Sequence, residues 1–348
     1  MKVLMIGPAR SVNGGVSAVV NNYYKAELDK KVEIEYIGTM EDGSKWHKLK
    51  VAGVALMKFA LRVSKCDLVH IHMASDVSIY RKIPFICITK IFRKKLVIHQ
   101  HGGNIKHFFY TECGEKKRQF IKKMLQKADS FWVVASYLED IFKEIVSEEK
   151  IVVLSNAIEI PERISHNYKK QDLLFLGRLC KEKGISELLD AVRDLKQEFP
   201  DLQLYLGGVW AEESLERKAK ACDEYVHYLG WIGAKEKEKY LQMCNIFVLP
   251  TYFEGLPMSL LEGMAYGCAC VATEVGGIPL VMTNRENGLV IPAKDVKALK
   301  DSLRELLQSQ KLQEVLGKNA RKTVEENYEI NTCVDRIVQM YKCLCNER

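Results

Sequence analysis

The sequence predicts an α/β protein made of two doubly wound parallel-sheet domains facing each other across a cleft. Three observations predict it. Short apolar runs alternate with amphipathic stretches from the first residues to about Tyr266, as in parallel strands joined by crossover helices. The alternation halts at a polar, strand-poor segment, Pro161–Lys170, and restarts at Leu173. At 348 residues the chain is long enough for two domains, each with its own core.

In the first series, strands are expected at Val3–Ile6, Val32–Ile37, Leu68–Ile71, Leu96–Gln100, Phe131–Ala135 and Ile151–Leu154. Helical patterns such as Val16–Leu28, Lys45–Ser64 and Lys116–Lys127 lie between them. The second series places strands at Leu173–Leu176, Leu202–Leu206, Val226–Leu229, Ile246–Leu249, Ala269–Ala272 and Leu289–Ile291. From Asp295 the pattern is helical, and amphipathic Ile330–Leu344 is expected to return to the first domain.

Composition bounds the function. Residues 1–165 carry 27 Lys and Arg against 18 Asp and Glu, and residues 166–348 carry 25 against 27. A basic first half beside a near-neutral second half points to an anionic surface or ligand for the first. The eleven cysteines contain no C-x-x-C pair, and neither C-x-C pair, Cys268/Cys270 or Cys343/Cys345, has zinc-site company. A reducing compartment, core packing and no metal are expected. The N-terminus reads as a strand rather than a signal peptide, and the apolar run Val51–Val63 is too short for a bilayer span. The expectation is a cytoplasmic protein.

Candidate site residues fall where strands end and helices begin. In Pro250–Gly267, Glu254 precedes a helix expected from Met258, and Glu262 lies about two turns along it. Amides around Gly255, Leu256 and Met258 beside a helix N-terminus suit an anion. Two carboxylates flanking it suggest a ligand with a phosphate and several hydroxyls, as in a nucleotide sugar. Arg178 and Lys183 follow the first strand of the second series and can neutralise a diphosphate. Gly14 and Gly15 follow the first strand of the chain without the spacing of a dinucleotide or P-loop fingerprint. His99 and His101 close the fourth strand on the same side by alternation, and His70 and His72 close the third. Asn156 ends the last strand of the first domain.

Together G-G-V (14–16), H-G-G (101–103), G-R-L-C-K-E-K-G (177–184) and E-G-L-P-M-S-L-L-E (254–262) resemble glycosyltransferase family 4. The resemblance covers nearly the whole chain, and the last two motifs are its specific part. It implies the GT-B architecture of two Rossmann-like domains: residues 1–165 with a C-terminal helix 330–348 on the acceptor side, and 166–329 binding the donor. The implied activity is retaining transfer of a hexose-type sugar from a nucleotide-diphosphate sugar, with UDP as the base expected from the family, to a saccharide or lipid-linked saccharide in surface polysaccharide or glycoconjugate synthesis. No cofactor or metal is implied.

By position, the resemblance assigns the donor diphosphate to Arg178, Lys183, Gly15 and Leu256, and the ribose hydroxyls to Glu262. Glu254 and His101 would stand at the donor sugar as catalytic residues, with Gly14, Gly255, Met258 and Asn156 as further donor-side candidates. The implied chemistry is front-face displacement, in which the departing diphosphate takes the acceptor's proton. Two positions depart from the family pattern: Ala157 after Asn156, where Gly is frequent, and Leu280, where Glu is frequent.

A non-catalytic partner subunit and a nucleotide-sugar epimerase or phosphorylase on the same fold are the alternatives. For the acceptor side, Lys116, Lys117, Arg118, Lys122, Lys123 and Lys127 crowd one helix opposite Phe120, Ile121, Met124 and Leu125, and Arg93-Lys94-Lys95 adjoins Phe92. An anionic membrane surface is therefore a candidate partner, met peripherally on its cytoplasmic face. Nucleic acid is not expected, since no binding motif for it occurs.

Overall fold

Most strands of the two sheets are short, largely apolar runs, as buried parallel strands require, because crossover helices cover both faces of such a sheet; the edge strand Glu33–Gly38 alternates Glu33 and Glu35 with apolar residues. In the computed structural model, residues 1–164, 166, 168 and 170–346 are described. Ser165, Asn167 and Lys169, where the expected linker and domain boundary fall, and Glu347 and Arg348 of the expected C-terminal helix, lie outside the described residues. The chain forms two compact units, Met1–Glu159 with Ile330–Arg348, and Ile160–Glu329.

The first unit holds β1 (Lys2–Gly7), β2 (Glu33–Gly38), β3 (Leu68–Met73), β4 (Lys95–Gln100), β5 (Ser130–Val133) and β6 (Ile151–Val153), in the order β2-β1-β3-β4-β5-β6. All pairings are parallel. The order reverses between β1 and β3, which puts the carboxyl end of β1 at the switch point where ligands of such sheets bind. Its aromatic core includes Tyr23, Phe59, Phe131, Trp132 and Phe142, all fully buried. Helix Ile330–Asn346 completes this core, with the Tyr341 ring stacked on Trp132 at 5.6 Å between centroids.

The second unit holds β7 (Asp172–Leu176), β8 (Gln203–Gly207), β9 (Val226–Gly230), β10 (Ile246–Leu249), β11 (Ala269–Thr273) and β12 (Leu289–Ile291), ordered β12-β11-β10-β7-β8-β9 and again parallel. Here the reversal lies between β7 and β10. Two such six-stranded sheets with flanking helices are the expected α/β fold, and each strand lies where its apolar run predicts. No helix among the described residues is long and apolar enough to cross a membrane.

Candidate functional site

In the second unit, the segments after β7 and β10 are tied together. Tyr252 donates its backbone N–H to the Glu182 carbonyl at 2.8 Å, and the Thr251 hydroxyl donates to the same oxygen at 3.3 Å. The turn Lys181–Lys183 ends at Gly184, whose φ is +70° and where a Cβ would run into the Pro250 carbonyl. Only glycine allows this approach. The approach brings Lys183 to Glu254, and their side chains form an ion pair, 23% and 16% exposed. Arg178 is exposed, and its charge acts on the Glu182 carboxylate nearby.

The loop carrying Glu254 is also held from behind. Gly277 donates its N–H to the Gly255 carbonyl at 2.8 Å, and Gly276, at φ +56°, sits where a Cβ would meet the Glu254 carbonyl. Leu280, the departure from the family pattern, follows this clasp with its side chain exposed. Helix Met258–Ala265 starts after extended Pro257 with no side-chain cap, leaving first-turn amides to an outside acceptor. Gly255, Leu256 and Met258 are buried. One turn into the helix, Glu262 pairs with Lys237 of helix Ala234–Met243. Lys237 has no sequence signal, since it is one of three alternating lysines in A-K-E-K-E-K.

In the first unit, Gly14 is extended (φ 176°) and Gly15 opens helix Gly15–Lys25. A Cβ on either would meet nothing within 4 Å, so the fold itself does not demand glycine there. His101 follows β4 with its N–H donated to the Met73 carbonyl at 2.8 Å. Gly102 is required beside it, because a Cβ would strike Ser75. His99 is fully buried whereas His101 is half-buried, a distinction that strand alternation could not make.

Four histidines gather at the ends of β3 and β4. His72 Nδ1 and His101 Nε2 share a hydrogen bond at 2.9 Å, the His70 and His72 rings stack at 4.3 Å, and those of His99 and His101 lie 4.1 Å apart. The Tyr341 hydroxyl closes on His70 Nδ1. Burial pushes His101 down to about 3, against the pull of the Asn156 side chain. Burial first, then the neighbouring rings, hold His70, His72 and His99 well below the ordinary imidazole range. All four are neutral at pH 7, so His101 offers a hydrogen bond and no counter-charge. Nitrogens of His70, His72 and His99 lie within 4.8 Å of one another, the kind of group that could take a metal ion. Tetrahedral nitrogens around zinc stand closer, at about 3.4 Å.

Asn156 is buried, and the Ala157 carbonyl accepts from the Asn22 amide at 3.3 Å. The φ of Ala157 is not positive, so the backbone there does not require glycine. All eleven cysteines are free.

Residues 156–323 match the family model of glycosyl transferases group 1. That match spans 168 of the 348 residues, just under half of the chain. Over 350 residues the chain is 29% identical to the N,N'-diacetylbacillosaminyl-diphospho-undecaprenol alpha-1,3-N-acetylgalactosaminyltransferase of Campylobacter jejuni, covering 98% of this chain and 85% of that one. Among solved structures, sucrose-phosphate synthase of Thermosynechococcus elongatus superposes with a TM-score of 0.82 at 16% identity, covering 99% of each chain. Anabaena HepE in complex with UDP-glucose superposes at 0.80 with 15% identity, over 99% of this chain and 100% of that one. At such identities these two structures speak for the fold, the GT-B arrangement of glycosyltransferases.

Proposed function

We propose that this chain is a group 1 glycosyltransferase of family 4 that moves a hexose-type sugar, with retention, from a UDP-sugar to a saccharide or lipid-linked saccharide acceptor, without a bound metal. The observation that carries the reading is the Lys183–Glu254 pair, which joins the segment that also carries exposed Arg178 to the loop before an uncapped helix N-terminus. A nucleotide diphosphate arriving there takes Lys183 and Arg178 as cations and the first-turn amides as donors. Lys183 then turns from Glu254 to the diphosphate, and the Glu254 carboxylate accepts from hydroxyls of the donor sugar. Charge developing on the departing diphosphate meets preorganised cations, the main source of catalysis where no metal acts. Its oxygen takes the acceptor's proton on the same face, so no general-base pair is needed.

The same reading gives Glu262 the ribose hydroxyls, Gly15 and Leu256 the diphosphate, and His101 a neutral hydrogen bond to the donor. The complex of HepE with UDP-glucose favours a uridine donor, and the Campylobacter jejuni relative, named for a diphospho-undecaprenol acceptor, favours a lipid-linked one. Such an acceptor would draw the enzyme to a membrane surface. Incubation with a panel of UDP-hexoses and undecaprenyl-diphosphate saccharides, with the product anomer read by NMR, tests the proposal. An α-linked product from an α-linked donor is expected; a β-linked product would overturn retention.

A further inference from the structure

The helix Lys45–Arg62 turns Trp46, Leu49, Met57 and Leu61 outward. Only Ala55 and Phe59 of this helix are buried. Trp46 is 83% exposed, Leu49 65%, Met57 59% and Leu61 71%. At 100° per residue these four fall within an arc of about 120°, opposite Ala55 and Phe59. A stripe of this kind on a surface helix has no role in the core.

Charge identifies what would cover it. The segment 45–65 contains no Asp or Glu. Lys45, Lys48, Lys50 and Lys58 are exposed and have no ion-pair partner among the described residues. Lys50 lies within the stripe and Lys45 and Lys58 at its two margins. An apolar face containing a tryptophan and edged by lysines suits the boundary between lipid headgroups and acyl chains, where apolar groups sink and ammonium groups remain among phosphates.

Neighbouring elements extend the surface. Phe59 packs edge-on against Phe85 of helix Val77–Ile91, with ring centroids 5.1 Å apart. Both helices are crossovers between parallel strands and run the same way, so Leu61 and Ile91 end on one side. Ile91 and Phe92 are exposed there and lead into Arg93-Lys94-Lys95. Beside the stripe, a depression of about 270 Å³ is lined by Lys50, Lys58 and Arg62 together with Glu41. By contrast, in the basic helix Glu115–Leu125, Ile121, Met124 and Leu125 are buried, which leaves only Phe120 exposed among its large apolar residues.

We propose that helix Lys45–Arg62 lies flat on an anionic lipid bilayer, with Trp46, Leu49, Met57 and Leu61 inserted and Lys45, Lys50 and Lys58 on the phosphates. This rests on the membrane-facing acceptor proposed above and names the surface that meets it. The test is flotation of the full chain with phosphatidylglycerol-containing and with pure phosphatidylcholine vesicles, at low and high salt. Binding to the anionic vesicles alone, weakened by salt, is expected. Trp46→Ser with Leu61→Ser, and separately Lys50→Glu with Lys58→Glu, should each lower the partition coefficient by about tenfold or more. The changed residues are exposed, so thermal unfolding should not move.

No flotation of the wild-type chain overturns the proposal. So does binding that survives both double variants but is lost on replacing Lys116, Lys117, Lys122 and Lys123. A stable dimer by light scattering that Trp46→Ser dissociates, without flotation, would assign the stripe to a second copy instead. UDP-sugar thermal shifts on the same preparations separate loss of this surface from failure of the glycosyltransferase reading.

Discussion

Lys183 and Glu254, 71 residues apart in the chain, meet as an ion pair where the segments after β7 and β10 cross. The pair joins the cation assigned to the diphosphate with the acid assigned to the sugar. Substituting either partner therefore separates two binding roles.

Lys183→Ala should weaken UDP binding at least tenfold, about 1.4 kcal/mol or more, because a charge-assisted contact to the diphosphate is lost. Glu254→Gln should leave UDP affinity within about threefold while abolishing sugar transfer. Calorimetric titration of UDP, paired with turnover of the UDP-sugar, checks both. Equal loss of UDP affinity in the two variants would show that Glu254 has no separate task.

Much of the fold was legible because most of its buried parallel strands are apolar runs, and the candidate residues lie in strands or on the segments that follow their carboxyl ends. The partners were not. Nothing local marks Lys237 as the residue that reaches Glu262, or His72 as the one that meets His101, since both contacts are set by the packing of separate elements. Helix Lys45–Arg62 shows the limit of periodicity: the pattern predicts the helix but not which side is buried, and the structure exposes Trp46, Leu49, Met57 and Leu61. The basic helix had the opposite fate, with Ile121, Met124 and Leu125 in the core.

Two glycines should behave differently. Gly184→Ala places a Cβ against the Pro250 carbonyl at a positive φ and should cost about 1–3 kcal/mol of stability. It should also displace Lys183 and weaken UDP binding. Gly15→Ala meets no protein atom and should unfold at the wild-type temperature, while the added methyl group lowers kcat/KM for the UDP-sugar. Thermal unfolding and steady-state kinetics on both variants provide the check.

Stability should fall with acid. His70, His72 and His99 are held neutral by burial in the folded protein, whereas the unfolded chain protonates them near their ordinary value of about 6.5. Below that pH the unfolded state binds more protons, so each buried ring removes up to about 1.4 kcal/mol of stability per pH unit. Urea unfolding followed from about pH 7.5 to about pH 5 should show this slope. His99→Phe should make it shallower. An unchanged slope in that variant would mean that His99 titrates alike in both states.

Tyr341→Ala should destabilise the first unit by about 3–5 kcal/mol, since it removes a fully buried ring stacked on Trp132. Tyr341→Phe keeps the ring and loses the contact to His70, at about 1 kcal/mol. Chemical denaturation monitored by tryptophan fluorescence distinguishes the two.

The most direct measurement is a thermal-shift titration with UDP, UDP-hexoses, GDP-hexoses and unrelated anions on the wild-type chain and on Arg178→Ala with Lys183→Ala. A ligand that binds only the folded state raises the melting temperature with its concentration. The expected result is a rise with UDP and at least one UDP-hexose that the double variant loses while keeping its own melting temperature. No shift with any nucleotide sugar, or an equal shift in the double variant, would contradict the donor site proposed at Arg178, Lys183 and Glu254.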